Sequence, residues 1–482
     1  MRGIFIFAIV GLGLAGCVSC SHIEIDLGPT DEEEAATSIG IGEAIGGLAN
    51  VSLTPTEAAA SPPVLAGFEG DTEITTVEDW QTRRVPLLRD AIQRDLYGYQ
   101  PDTVEIVETV SEQVSDSAYD GIAVLDLVTL TVRFSYEGGP DMERNIRLAV
   151  AKPKNASGPV PVILKMDNCP FDESYQDPAL PDGRSEVIIP SSLLSPERLA
   201  EAPAENYISE NALKVKVRAS CAGQTTGFIN GFVQPLGRYH YTPPVKEAIE
   251  QGYAFASINS DDFVLDDRQY AQAQLELMSG GHDVDSAWGS LAAWAFQYSR
   301  GIDYLETDPA LDPDRMAIYG HSRFGKAVLV AGALDPRIDA VIAHQSGRGG
   351  AALFASETGE PIEKMLAAYP HWLNDAYAER FERSEALPFD QHHLIALLAP
   401  RPVLLGHGRR DGWADPDGAF RAAKGAGPAY ELYGSDGFTA ESLRDFDPNT
   451  DIAYWMRGGT HGETKEDWEA FFQFLDAHFK TE

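Results

Sequence analysis

The chain has 482 residues, of which 74 are acidic and 37 are basic, and its formal net charge at pH 7 is −37. Such a negative field repels phosphate backbones and anionic membrane surfaces, which argues against nucleic acid as a partner. The length exceeds that of one ordinary core, although large α/β folds with insertions remain single domains.

The N-terminus has the pattern of an export signal. Met1 and Arg2 precede the apolar run GIFIFAIVGLGLAG, which is too short to span a bilayer comfortably, and Cys17 follows. The segment LAGC resembles the bacterial lipoprotein lipobox, which implies cleavage and acylation at Cys17. We therefore expect residues 1–17 to be a lipoprotein-type signal peptide. The mature protein would be exported and would meet the membrane only through its lipid, in the periplasm or at the cell surface. An ordinary secretory signal is the alternative.

Residues 18–70 are rich in Gly, Ala, Glu, Thr and Pro and show little periodicity. This composition offers too little apolar area to offset chain entropy, which predicts a flexible linker before a domain over 71–482. In an exported protein, Cys169 and Cys221 are compatible with a disulfide and equally with two buried thiols. We expect a monomer.

The predicted domain opens with a helical pattern in which Val85, Leu88, Ile92 and Leu96 recur on one face. The runs AVLDLVTLTVRFSYEGG and RNIRLAVAKP then flank a Gly-Gly-Pro turn, which predicts an antiparallel hairpin.

Beyond the hairpin, apolar strands alternate with helices. The predicted strands are VPVILKMDN, YAFASINSDDF, RMAIYG, IDAVIAH, PVLLGHG and IAYWMRG. The predicted helices are AWGSLAAWAFQYSRGIDYLE, residues 323–334 and residues 465–480, the last with Thr464 and Asp467 as its cap. Continuous apolar runs separated by helices indicate a mostly parallel sheet with helices on both faces. With its antiparallel N-terminal lead-in, the expected class is α/β, in the α/β-hydrolase arrangement.

The stretch YGHSRFGKAV follows a predicted strand and opens a predicted helix. Ser322 suits an ordinary helix N-cap, but the same context describes a nucleophile elbow, in which a sharp turn exposes the serine hydroxyl above a sheet. A serine nucleophile needs a histidine base and a carboxylate that orients it, in the chain order Ser, acid, His in this fold.

His461 stands in the loop GGTHGET, between the last predicted strand and the last helix, where that base belongs. His321, His344 and His407 also lie near strand ends and are the competing candidates. For the acid, Asp411 is nearest the strand end in PVLLGHGRRDGWADPDG. The alternatives in the same loop are Asp415 and Asp417, which turn chemistry also explains.

The longer run GHSRFGK resembles the Gly-x-Ser-Arg-x-Gly-Lys signature of glucuronoyl esterases (carbohydrate esterase family 15, bacterial type). The similarity extends through AGALDPRIDAVIAHQSGRGGAAL, FDQHHLIALLAPRPVLL and GRRDGWADPDG to the final helix. By this resemblance Ser322 is the nucleophile and His461 the base, and Arg323 helps to stabilise the oxyanion. Some members carry the acid where this chain has Gln345, and other bacterial members carry it at the position of Asp411.

The resemblance also assigns the substrate contacts. Lys326 and Glu360 match positions that hold sugar hydroxyls, and Trp413 matches an aromatic that covers the uronic acid. The implied activity is hydrolysis of (4-O-methyl-)glucuronic acid esters, as in lignin–glucuronoxylan links, with no metal or organic cofactor. The alternatives are an esterase acting on acetyl-xylan or other acyl sugars, and an inactive carbohydrate-binding lipoprotein. The stretches DNCPFDESY and NSDDFVLDD depart from the family pattern beside the expected site.

Overall fold

The computed structural model describes residues 50–101, 103–135, 141–167, 244–268, 270–279 and 287–480, with short strands at 24–25, 184–190, 207–209 and 212–218 and single positions 171, 175 and 180. The expected signal peptide with Cys17, nearly all of residues 18–49, and Cys169 and Cys221 lie outside these residues and stay predictions. In the described part of the chain, none of the helices has both the length and the apolar character that crossing a bilayer requires.

The described strands fall into two sheets. They are β1 Glu24–Ile25, β2 Val104–Ser117, β3 Ala123–Phe134, β4 Met142–Pro153, β5 Val160–Asp167, β6 Arg184–Pro190, β7 Tyr207–Ser209, β8 Ala212–Arg218, β9 Ala254–Asn259, β10 Leu311–His321, β11 Ala340–His344, β12 Val403–Gly408 and β13 Ile452–Arg457. The central sheet has the order β13-β12-β11-β10-β5-β9-β4-β3-β2, and β1, β6, β7 and β8 form a small antiparallel sheet.

The central sheet is parallel from β13 to β9 and antiparallel from β9 to β2. Every residue of β9, β11 and β12 is buried. These strands read as continuous apolar runs because helices cover both faces of the parallel part. The α/β-hydrolase expectation, with its antiparallel lead-in, is therefore confirmed.

Helices of 3 to 16 residues surround the sheet. The described α-helices are α1 Val77–Asp79, α2 Val85–Ile92, α3 Ala118–Gly121, α4 Val245–Glu250, α5 Ala271–Ser279, α6 Ser290–Leu305, α7 Arg323–Leu334, α8 Ile362–Ala368, α9 Asp375–Glu382, α10 Gln391–Ala396, α11 Pro416–Glu431 and α12 Lys465–Phe479. Helices α2, α6, α7, α10 and α11 share one apolar cluster with alternate strand residues, whereas α4 and α12 share the cluster on the opposite face. Alternation along each strand explains this division, since successive side chains point to opposite faces.

The predicted hairpin is β3 paired with β4, and the predicted cap of the last helix is a complete capping box between Thr464 and Asp467. Strand β2 has no counterpart among the predicted elements. It is an edge strand with mostly exposed side chains, so its sequence lacks the strict apolar alternation that identifies a half-buried strand.

Residues 50–70, which composition placed in the linker, lie against the domain. Val64 and Phe68 are buried in the main apolar cluster, and the guanidinium of Arg84 donates to Val64 O at 2.7 Å and Ala66 O at 2.6 Å. The segment is therefore part of the folded unit, and the expected boundary at residue 71 is too late. A few apolar anchors and backbone hydrogen bonds hold it, and neither leaves a periodic pattern.

Candidate active site

Ser322 occupies a sharp turn between β10 and α7. Its backbone angles are φ 58° and ψ −119°, a left-handed conformation that costs a non-glycine residue about 1–3 kcal/mol. Its N–H donates to His344 O at 2.8 Å, at the end of the neighbouring strand β11. Because the surrounding contacts maintain this strained geometry, the hydroxyl is presented at the carboxyl edge of the sheet, as a nucleophile elbow requires.

Two glycines make the turn possible. A Cβ at Gly320 would overlap the carbonyl of Phe324, and one at Gly325 would lie 2.9 Å from His344 O. The second glycine stands three residues after Ser322, at a point where α7 lies close to the end of β11. Phe324, at the position where the commoner elbow has glycine, is buried and packs its ring 5.3 Å from that of Trp294.

His461 and Asp411 come together although fifty residues separate them. The loop after β12 carries Asp411, the loop after β13 carries His461, and Nδ1 of His461 lies 2.8 Å from Oδ2 of Asp411. Burial alone would raise the pKa of the Asp411 carboxyl, but the charge and hydrogen bond of His461 hold that pKa below its ordinary value. An ionised, buried carboxylate on Nδ1 leaves Nε2 of His461 to exchange protons with a nucleophile.

The alternative acids have other partners. Asp415 caps α11 by accepting from Gly418 N at 3.0 Å, and it also accepts from the Thr358 hydroxyl at 2.7 Å. Asp417 accepts from Arg421 at 3.0 Å and from Thr56. Both carboxylates therefore organise their own loop and helix, and Asp411 is the acid that the structure places on His461.

The competing histidines lie beneath the site. Burial lowers the pKa of His407 to about 3, and its ring stacks on Tyr454 at 5.0 Å. His344 is fully buried, with Nε2 3.5 Å from Asp467. His321 faces Gln345, with Nε2 2.9 Å from Oε1 of that amide. These contacts show that the three histidines are buried, where they pack against other rings or lie beside polar side chains.

Gln345 occupies the position where some family members carry the acid. Its amide oxygen accepts from Gly462 N at 2.8 Å and its amide nitrogen donates to Thr460 O at 3.1 Å. These two residues flank His461, so Gln345 holds the histidine loop from below. The sequence identified Gln345 only as a missing carboxylate, and its supporting contacts require the three-dimensional placement of the loop.

Arg323 begins α7 beside Ser322 and forms an ion pair with Asp266. The guanidinium lies 5.5 Å from the ring centre of Tyr369 and 5.3 Å from that of Trp372, two rings stacked 3.9 Å apart. Asp266 also accepts from Trp372 Nε1 at 2.8 Å. Sequence reasoning missed Asp266, although it stands in NSDDFVLDD, the stretch noted for departing from the family pattern.

Lys326 is buried one helical turn after Ser322. Its Nζ donates to Ser346 O and to Arg348 O, both at 2.6 Å. Burial lowers the pKa of Lys326 to about 8, against the opposing charge of Glu360. Burial likewise raises the pKa of Glu360, which Lys326 and a hydrogen bond with Trp413 oppose. A backbone hydrogen bond of 2.9 Å from Glu360 N to Trp413 O completes the group.

The three residues expected to contact substrate thus form one cluster of opposite charges and an indole. Such a cluster offers both donors and acceptors to sugar hydroxyls and an aromatic face to the ring. Among the residues that the structure describes, His, Cys, Asp and Glu side chains are nowhere grouped in threes as metal ligands would be.

Comparisons with known proteins agree with this geometry. The family model described as "Glucuronyl esterase, fungi" matches residues 243–434, which include Ser322, Asp411 and Trp413. The chain is 30% identical over 425 residues to "Carbohydrate esterase MZ0003" from an unknown prokaryotic organism, covering 86% of this chain and 89% of that one. A "4-O-methyl-glucuronoyl methylesterase 1" from Wolfiporia cocos is 28% identical over 195 residues, covering 39% of this chain and 48% of that one.

A solved structure is also similar to most of this chain. The glucuronoyl esterase from Solibacter usitatus superposes with a TM-score of 0.68 at 27% identity, covering 88% of this chain and 99% of that one. The chain therefore belongs to the glucuronoyl esterases of carbohydrate esterase family 15, as the signature around Ser322 predicted.

Proposed function

We propose that the protein is a serine carboxylesterase that hydrolyses esters of (4-O-methyl-)glucuronic acid, such as those that join glucuronoxylan to lignin. The observation that carries the proposal is the placement of the Lys326–Glu360–Trp413 cluster beside the elbow of Ser322, with the His461–Asp411 pair at 2.8 Å on the same sheet edge. A cluster suited to a uronate and an acyl-transfer centre then lie next to each other at this edge of the sheet.

The proposed reaction has two acyl-transfer steps. The Ser322 hydroxyl attacks the ester carbonyl carbon while Nε2 of His461 accepts its proton. The tetrahedral intermediate collapses, the alcohol leaves with that proton, and a glucuronoyl-serine ester remains. Water, deprotonated by His461, then attacks the acyl-enzyme and releases glucuronic acid. Asp411 keeps the imidazole in the required tautomer throughout.

The oxyanion forms above the start of α7. The backbone N–H of Arg323, the residue after the nucleophile, is a donor of the type found in this fold. The guanidinium of Arg323 adds positive charge next to the developing negative charge. Asp266 and the Tyr369–Trp372 stack limit where that guanidinium can go, which reduces the reorganisation needed during the reaction.

The test compares substrates and one variant. Benzyl and methyl esters of glucuronic acid should be hydrolysed with higher kcat/KM than acetylated xylan. Ser322→Ala should lose turnover by several orders of magnitude and still bind methyl glucuronate, because triad members act as a unit while the uronate contacts remain. A preference for acetyl esters would support the acyl-sugar alternative. Turnover retained in Ser322→Ala would exclude the elbow as the catalytic centre.

We also propose export with lipid attachment at Cys17 and a monomeric protein. The LAGC sequence after a short apolar run supports the attachment. A lipid on Cys17 would hold the esterase at the bacterial envelope through the segment that precedes residue 50.

A further inference from the structure

The N-terminal segment at residues 51–56, which we call the strap, runs along the loop that carries the catalytic acid. Its first residue, Val51, donates its N–H to Arg409 O at 2.8 Å. Its last residue, Thr56, donates twice to the carboxylate of Asp417, from N–H at 2.8 Å and from Oγ1 at 2.7 Å. The strap therefore contacts the start of the loop 409–415, which we call the acid loop, and the first turn of α11, which follows that loop.

The middle of the strap follows the same surface. Val51 also packs near Gly412, where a Cβ would lie 4.0 Å from Cγ1 of the valine. Leu53 accepts from Leu443 N at 3.1 Å and packs against the main apolar cluster. Farther along the chain, Pro62 O lies 2.7 Å from Nε2 of His392. The strap is thus held at several independent points.

The acid loop has little regular structure of its own, and backbone hydrogen bonds from Arg409 N to Arg457 O at 3.0 Å and from Arg410 N to Gly459 O at 2.6 Å hold its start. It consists of a single 3₁₀ turn, Gly412–Ala414, and it ends on Asp415 in the left-handed conformation with φ 50°. Asp411 depends on this turn for its position, since one oxygen accepts from Ala414 N at 3.3 Å while the other meets His461. Trp413 lies in the same turn, so a displacement would move the acid and the indole together.

We propose that the strap is a positioning element of the active site, which fixes the acid loop so that Asp411 meets His461 and Trp413 covers the substrate. The inference rests on the proposed function. Asp417 was a competing candidate for the catalytic acid in the sequence. Its carboxylate instead accepts the two hydrogen bonds from Thr56 that hold the end of the strap. The segment that leads to the predicted lipid anchor is then part of the catalytic unit.

The test uses matched threonine variants in the full chain. Thr56→Val removes the hydroxyl that donates to Asp417 and keeps the side-chain shape, whereas Thr56→Ser keeps the hydroxyl. Thr54→Val makes the same change two residues earlier in the chain. The Thr54 hydroxyl has no hydrogen-bond partner among the residues that the structure describes. We expect Thr56→Val to lower kcat about 3- to 10-fold, the scale of losing one solvent-exposed hydrogen bond, and Thr56→Ser to restore it.

Two further readouts separate positioning from general stability. Thr56→Val should lower kcat on both a glucuronate ester and an aryl acetate, because both need Asp411, and should raise KM for the glucuronate alone, because only the sugar needs Trp413. Hydrogen exchange of peptides spanning residues 409–417 should quicken in Thr56→Val and stay unchanged in Thr54→Val. Asp417→Ala removes the bond to the Thr56 hydroxyl together with the bond to Thr56 N–H and the pair with Arg421, so its loss should be at least as large. In the Asp417→Ala background, Thr56→Val should cost nothing further, since its partner is already gone.

The proposal would be overturned if Thr56→Val had the same kinetic constants and hydrogen-exchange rates as Thr54→Val. Additive losses in the Thr56→Val, Asp417→Ala double variant would overturn it as well. If the natural enzyme hydrolysed aryl acetate but not glucuronate esters, the proposed substrate would be wrong. The strap would still be tested on aryl acetate through kcat and hydrogen exchange.

Discussion

The buried ammonium of Lys326 should make substrate preference depend on pH. In the free enzyme its pKa lies at about 8, because burial disfavours the charged form. As the pH rises through this value, Lys326 loses its charge and one N–H donor, and Ser346 O and Arg348 O engage the other two. We expect kcat/KM for a glucuronate ester to fall relative to kcat/KM for an aryl acetate above about pH 8, since kcat/KM reports ionisations of the free enzyme.

Replacing Lys326 by methionine isolates this effect. A charge-assisted hydrogen bond to a sugar hydroxyl contributes about 1.5–3 kcal/mol, so kcat/KM for the glucuronate ester should fall about 10- to 150-fold at pH 7. The aryl acetate has no sugar to bind and should lose little. In Lys326→Met the ratio of the two kcat/KM values should no longer change with pH.

Stability should change little in Lys326→Met because two effects oppose each other. Lowering the pKa from 10.5 to about 8 corresponds to about 3 kcal/mol against the buried ammonium. The unfolded chain binds the extra proton between these values, so this penalty is relieved as the pH rises from about 8 to 10.5. Methionine removes the penalty but leaves two carbonyl oxygens unpaired, at about 1–3 kcal/mol each.

The assay is the ratio of kcat/KM for benzyl glucuronate to that for phenyl acetate, measured from pH 6 to 10. Lys152→Met is the matched control, because Lys152 is also largely buried and pairs with Asp126 and Asp308 at 2.7 Å, away from the elbow. That control should keep the pH dependence of the ratio. A ratio independent of pH in the natural enzyme, or an equal loss on both esters in Lys326→Met, would refute the assignment of Lys326 to the sugar.

Three further predictions concern the acid, the elbow and the anchor. Asp411→Asn should lower kcat about 10³- to 10⁴-fold by favouring the wrong imidazole tautomer, whereas Asp415→Asn should mainly lower the melting temperature; the reverse pattern would move the acid to Asp415. Gly320→Ala should destabilise the fold and reduce activity, because its Cβ would overlap the Phe324 carbonyl, and a thermal melt identical to that of the natural protein would contradict this close packing. Cys17→Ser should abolish metabolic labelling with palmitate and release the protein from membrane fractions, and unchanged partition would require another anchor.

Much of the fold was predictable because many helices and strands have short-range sequence patterns that match how they are buried. The strands of the parallel sheet are buried on both faces, so their sequences are continuous apolar runs that need no tertiary information to recognise. The capping box of α12 is likewise a short-range pattern, Thr464 followed three residues later by Asp467. Strand β2 had no such signal, because its exposed edge position removes the selection for apolar alternation.

The sequence by itself determined the chemistry of the elbow and the chain order of nucleophile, acid and base, because both follow from which residues stand at strand ends. Tertiary structure decided which carboxylate reaches the histidine. The sequence favoured Asp411 over Asp415 and Asp417 by its nearness to a strand end and by the family resemblance, but the 2.8 Å contact to His461 depends on how the ends of β12 and β13 meet. The contacts of the strap and the pairing of Arg323 with Asp266 could not be predicted from the sequence either. Both join segments far apart in the chain through contacts that leave no periodic pattern.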